Sequence, residues 1–115
     1  MNWKKPTVQL LGRWQPWHDG HTELFKRAIS KTGQVIIQVR DMPRDDKNPF
    51  AFTEVTNNIM SSLSRAGYHY AKDYTIIKVP NVTDITYGRD VGYTITQEHF
   101  DEEIESISAT KIREE

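Results

Sequence analysis

"TVQLLGRWQPWHDGHTELFKRAISKTGQVIIQVR", residues 7–40, holds two short apolar runs separated by a loop and one helical repeat. Thr7–Leu11 reads as a buried strand ended by Gly12. Leu24, Phe25, Ala28 and Ile29 recur at helical spacing, which predicts a helix from about Gly20 to Lys31. Gly33 suits the left-handed residue that closes a helix. Val35-Ile36-Ile37-Gln38-Val39 is β-branched and mostly apolar, the composition of a central strand. Strand, helix and strand at this spacing form a parallel unit, because the crossover is long enough to carry a helix.

The next stretch repeats the pattern. Residues 40–49 form a charged loop with two prolines, and Thr53 offers an N-cap for a second helix. Val55, Ile59 and Leu63 share one face of that helix, which should end near Gly67. Tyr74–Val79 reads as a third strand, stopped by Pro80. Beyond it, residues 84–92 read as a loop, and Tyr93–Phe100 alternates as a short strand would. Ser108 is placed to cap a last helix. The expected architecture is α/β, a parallel sheet covered by helices, in a single domain over residues 1–115.

Composition narrows the functions open to such a domain. Fifteen basic and sixteen acidic residues leave a formal charge of −1, against a broad basic face for nucleic acid. No apolar run approaches about 18 residues, and the first six residues lack the apolar core of a signal peptide. The absence of cysteine removes disulfides, thiolate zinc sites and a cysteine nucleophile. The expectation is a soluble cytoplasmic protein with no nucleic-acid or membrane partner, its small size and exposed strand edges pointing to a homodimer.

Ligands of open parallel sheets bind beyond the carboxyl ends of the strands, where residues 12–21 must lie. A helix beginning near Gly20 would aim backbone N–H groups and its positive dipole end into that loop. His18 and His21 flank Gly20, and Arg13 precedes them. "ISAT", residues 107–110, repeats the arrangement at the start of the last helix, with Lys111 and Arg113 behind it. Two such termini make a polyphosphate cradle with no nucleophile in it. Nucleotidyl transfer to a phosphate fits, because the attacking phosphate is already ionised and needs only alignment and charge stabilisation. A divalent cation, Mg²⁺, would accompany the nucleoside triphosphate.

These residues also carry a resemblance. "GRWQPWHDGH", residues 12–21, resembles the HxGH signature of the cytidylyltransferase-like nucleotidyltransferases, and "ISATKIR", residues 107–113, resembles their second signature, I-S-x-T-x-I-R. The resemblance spans essentially the whole chain and implies a Rossmann-like three-layer sandwich. It implies that His18, His21 and Arg113 act on the transition state. Ser108, Thr110 and Arg113 are then expected on the β- and γ-phosphates, with Gly12, Arg13, Trp14, Gly20 and Lys111 also on the nucleotide side. "KNPFAFTEV", residues 47–55, is similar to the E-N-P-F-x-x-x-E-R segment of archaeal nicotinamide-mononucleotide adenylyltransferases, with Val55 in place of the arginine. "ISATKIREE" is similar to the ending of glycerol-3-phosphate cytidylyltransferases, whose arginine-tyrosine-valine-aspartate stretch is absent. "YGRDVGY", residues 87–93, is similar to small nucleotidyltransferase domains, some fused to adenylylsulfate kinases. The implied reaction moves AMP or CMP onto a phosphorylated small molecule and releases pyrophosphate, leaving base and acceptor open.

Plainer roles compete for several residues. Trp14 and Trp17 are expected as core or rim aromatics, the alternative being that one stacks on a ligand ring. Arg89 and Asn48 are weak candidates for substrate contact, against a solvated loop charge and a helix-entry turn. Residues 101–105 read as a solvated acidic edge, and His69 and His99 as surface residues. The competing function is a nucleotide-binding sensor or partner module without activity. A phosphohydrolase using the histidine pair lacks the carboxylates that a two-metal site needs.

Overall fold

The computed structural model describes residues 1–89 and 92–98. Its elements are β1 (Val8–Gly12), α1 (Asp19–Thr32), β2 (Val35–Arg40), α2 (Phe52–Arg65) and β3 (Tyr74–Val79). The strands form one parallel sheet in the order β1-β2-β3, so β2 is central as its composition requires. Val8 pairs with Val35 and Gly12 with Val39, while Val35 pairs with Tyr74 and Arg40 with Val79. The α/β, Rossmann-like architecture holds.

Period-two alternation sorts the strands into two faces. Leu10, Val35, Ile37, Val39 and Tyr74 are buried against α1 and α2. Phe25 and Ala28 come from α1, and Val55, Ile59 and Leu63 from α2. Each of the larger side chains contributes about 1.5–3 kcal/mol through burial. Right-handed crossovers between strands that advance in one direction place both helices on the same face. The described residues therefore supply two of the three expected layers, and Ile36, Gln38 and Ile77 on the other face are half-buried.

Helix ends follow local chemistry. Gly33 closes α1 in the left-handed conformation, φ 84°, with its N–H on the Ile29 carbonyl at 2.7 Å. The expected N-cap of α2 at Thr53 is corrected to Ala51. Glu54, three residues on, accepts the Ala51 N–H at 3.1 Å, so a carboxylate replaces the hydroxyl that sequence led us to expect. Residues 93–98 are not a strand, since alternation without a pairing partner makes no ladder. The expected last helix and the acidic run 101–105 lie outside the described residues.

The lower edge of the sheet is tied by Gln34. Its side-chain carbonyl accepts the Asn2 N–H at 3.0 Å, and its amide group donates to the Asn2 carbonyl at 2.8 Å and to Thr7 Oγ1 at 2.7 Å. That anchorage leaves the opposite edge, where all three strands end, free to carry loops.

Candidate active site

The loop joining β1 to α1 occupies that upper edge. Its first constraint is steric: a Cβ on Gly12 would lie 2.8 Å from two ring atoms of Trp14. The strand must therefore end in glycine for the indole to lie across it. Trp14 itself adopts the left-handed conformation, φ 55°, which costs a non-glycine residue on the order of 1 kcal/mol. A 3.0 Å hydrogen bond from Trp14 Nε1 to the Gln38 carbonyl and burial of the ring to 6% exposure offset it. Trp17, 2% exposed, donates Nε1–H to Thr22 Oγ1 at 2.9 Å. Both indoles are core aromatics, and they form a floor under His21, whose ring centroid lies 4.9 Å from Trp14 and 5.5 Å from Trp17.

His18 and His21 are brought together. The rings stack at 3.7 Å between centroids with planes 21° apart. His18 is the N-cap of α1: its Nδ1 accepts the Gly20 N–H at 3.1 Å, and His21 Nδ1 accepts the His18 N–H at 3.1 Å. With Nδ1 accepting in both rings, each neutral imidazole carries its proton on Nε2. His18 Nε2 is buried and has no hydrogen-bond partner among the described residues. Burial first, and the neighbouring His18 second, push the His21 pKa down from the ordinary 6.5 to about 3. Burial also lowers His18, against the opposing charge of Asp19.

This geometry revises the anion site. The Gly20 N–H is taken by His18 Nδ1, and the His21 N–H by the His18 carbonyl at 2.9 Å. The groups offered to a ligand are therefore imidazole Nε2–H donors rather than these two backbone amides.

Three further contacts bind the loop to the entry and first turns of α2. Arg13 Nη1 donates to Asn48 Oδ1 at 3.4 Å, which joins two candidates 35 positions apart. Asn48 is buried and donates both its backbone N–H and its side-chain amide to Asp45 Oδ1, at 2.8 and 3.0 Å. It is the keystone of a turn that presents Arg13. Gln15 pairs with the backbone of Phe50 in both directions, at 2.9 Å each, and the Trp17 N–H donates to Asn58 Oδ1 at 3.0 Å. Neither Gln15 nor Asn58 was singled out by sequence. The glutamine next to the proline was the available signal.

Arg89 is exposed beyond β3 and has no ion pair among the described residues. His69 is exposed, as expected. Ser108, Thr110, Lys111, Arg113 and His99 lie outside the described residues.

Beyond the carboxyl ends of β2 and β3 lies a cleft of about 190 Å³. Gln15, Val39, Phe50 and Val55 form walls, and Arg40, Asp41, Arg44 and Lys78 bring charge. A second cleft of about 210 Å³ lies between Trp14, Pro16 and Phe50 on one side and Glu54, Val55 and Asn58 on the other. No described helix is long and apolar enough to cross a membrane.

The chain is similar to known proteins. No protein-family profile matches the chain. The nicotinamide-nucleotide adenylyltransferase of Methanococcus vannielii is 29% identical over 93 residues, 74% of this chain and 54% of that protein. The enzyme of the same name from Picrophilus torridus is 31% identical over 75 residues, 64% of this chain and 43% of that protein. The chain thus spans about half the length of the curated relatives it matches. A bifunctional NMN adenylyltransferase/ADP ribose pyrophosphatase from Francisella tularensis, crystallised with AMP and a manganese ion, superposes with a TM-score of 0.59 at 29% identity. That match covers 66% of this chain and 23% of the other. The chain is a distant homologue of the nicotinamide-nucleotide adenylyltransferases, within the cytidylyltransferase-like nucleotidyltransferase superfamily.

Proposed function

We propose that this protein transfers a nucleotidyl group, AMP or CMP, from a nucleoside triphosphate to a phosphorylated small molecule. The observation that carries the reading is the stacked His18–His21 pair, which offers a buried, unpartnered Nε2–H at the edge of the sheet where ligands of this fold bind. An oxygen of the acceptor phosphate attacks the α-phosphorus. The new P–O bond forms as the bond to the β-phosphate oxygen breaks, and pyrophosphate leaves with the electron pair. No proton moves, so no general base is required.

His18 and His21 donate hydrogen bonds to the triphosphate as charge develops on it, with the buried rings of Trp14 and Trp17 packed against His21. Arg13, held by Asn48, supplies positive charge to the same face. In this reading Ser108, Thr110, Lys111 and Arg113 complete the phosphate cradle. Among the described residues no group of three or more His, Asp or Glu could hold a metal. Mg²⁺ brought in with the nucleoside triphosphate would supply charge neutralisation for the leaving pyrophosphate. The manganese ion and AMP of the Francisella protein support a nucleotide-metal ligand.

The test is pyrophosphate release from ATP and CTP across a panel of phosphorylated acceptors. Release with one pair establishes the transferase. Nucleotide binding without release from any pair would instead make this a nucleotide-binding module.

A further inference from the structure

The cleft beyond β2 and β3 is built by the sheet register. Val39 stands beside Lys78 and Arg40 beside Val79, so the ends of both strands reach the cleft, and Arg40 and Lys78 are both among the residues that line it. Arg44 joins them from the loop after β2. Three cationic side chains thus face one carboxylate, Asp41, which lies 3.7 Å from Lys78. Arg40 Nη2 is fixed on Asn81 Oδ1 at 2.7 Å. Its Nε is shielded from solvent and has no hydrogen-bond partner among the described residues. A guanidinium N–H left unmatched is costly, and it leaves Arg40 with donor capacity that the described residues do not use.

Gln15 and Phe50 wall this cleft, and Gln15 stands three residues before His18 in the same loop. The cleft is thus walled in part by the loop that carries the histidine pair.

We propose that this cleft is the acceptor subsite of the transfer inferred above, on which the proposal rests, and that it selects acceptors bearing a second anionic group besides the reacting phosphate. Arg40, Arg44 and Lys78 bind that second anion while the phosphate faces the histidine pair. The same charges disfavour nicotinamide mononucleotide, whose pyridinium ring is a cation. The substrate class therefore differs from the one in the names of the relatives.

Three acceptors that differ in one group provide the probe. 3-Phosphoglycerate carries a carboxylate where glycerol 3-phosphate carries a hydroxymethyl group, and glycerol 1,3-bisphosphate carries a second phosphate. Pyrophosphate release is measured for these three and for nicotinamide mononucleotide, and binding of each alone is measured by calorimetry. We expect the two doubly anionic acceptors to exceed the other two by about tenfold or more in kcat/KM and in affinity, their ratio telling carboxylate from phosphate. Arg40→Gln and, separately, the exposed Lys78→Gln should erase most of that preference while nucleotide affinity stays within about twofold. Equal or better use of glycerol 3-phosphate or nicotinamide mononucleotide overturns the proposal, as does a preference that survives both substitutions. If no acceptor releases pyrophosphate, the transferase reading fails, and the binding measurements alone decide whether the cleft selects a second anion.

Discussion

His18 and His21 cap each other: each ring's Nδ1 accepts a backbone N–H from the first turn of α1, and the rings stack 3.7 Å apart. Nδ1 of each ring thus holds the helix start, which leaves Nε2 for the hydrogen bonds proposed above. His21→Asn separates them, since the asparagine carbonyl can still accept the His18 N–H. Stability should change by less than about 1 kcal/mol, while kcat falls about 10²–10³-fold, the usual cost of one lost charge-stabilising donor. His21→Ala should lose the activity and, in addition, about 1–2 kcal/mol of capping. Urea unfolding beside pyrophosphate-release kinetics separates the two variants. Equal turnover in His21→Asn and wild type would remove His21 from the reaction.

The same ring makes stability depend on pH. Folded His21 stays neutral to about pH 3, whereas its ordinary pKa of 6.5 applies in the unfolded chain. Below pH 6.5 the unfolded state therefore binds a proton that the folded state refuses, so stability falls as pH falls. The slope contributed by one proton approaches about 1.4 kcal/mol per pH unit. His18, lowered in the same direction, adds to it. Urea midpoints at pH about 7, 6 and 5 should drop steeply for wild type and less for His21→Asn. Identical profiles would place the sensitivity elsewhere.

How far the sequence foretold this site depends on the distance over which each signal acts. The strands β1, β2 and β3, the helix α1 and the glycine cap at Gly33 were legible because they are set by neighbours within one or two turns. His18, His21 and Arg13 were legible because the loop after a first parallel strand must lie at the ligand edge. The N-cap of α2 was missed because Glu54, not Thr53, satisfies the free backbone donor. The tryptophans stayed ambiguous because an indole suits a core and a ligand equally well, and only burial to 6% and 2% separates the two. The basic cleft was invisible: Arg40 and Lys78 stand 38 positions apart, and only the pairing of β2 with β3 brings both strand ends to one cleft.

Gly12 tests the floor beneath the histidines. A Cβ there meets Trp14 at 2.8 Å, so Gly12→Ala must push the indole away from the strand. The ring is buried and touches His21 edge-on, so a shift of the indole is felt by the histidine. Overpacking of this kind costs about 1–3 kcal/mol. Because His21 moves with its floor, kcat should fall as well, by more than the small change in nucleotide affinity. Gly33→Ala is the control, since nothing lies within 4 Å of its Cβ position: it should lose stability through its φ of 84° and leave kcat intact. Equal kcat in both variants would show that the indole can shift without disturbing the histidine.

Gln15 tests the joint between the loop and α2. Its amide donates to the Phe50 carbonyl and accepts the Phe50 N–H, both at 2.9 Å, in a place where Gln15 is 4% exposed. Gln15→Ala leaves two backbone groups without their partner, each worth about 1–3 kcal/mol where water cannot reach. We expect a loss of about 2–4 kcal/mol, read as a lower urea midpoint with an unchanged m-value. Gln15→Glu keeps the shape and the acceptor but sets a carboxylate against the Phe50 carbonyl, so it should be at least as harmful. Gln15 and Phe50 also wall the basic cleft, so the alanine variant should raise KM for the acceptor more than it lowers kcat. An alanine variant as stable as wild type would mean that solvent reaches Phe50 and that the joint is not what holds the loop in place.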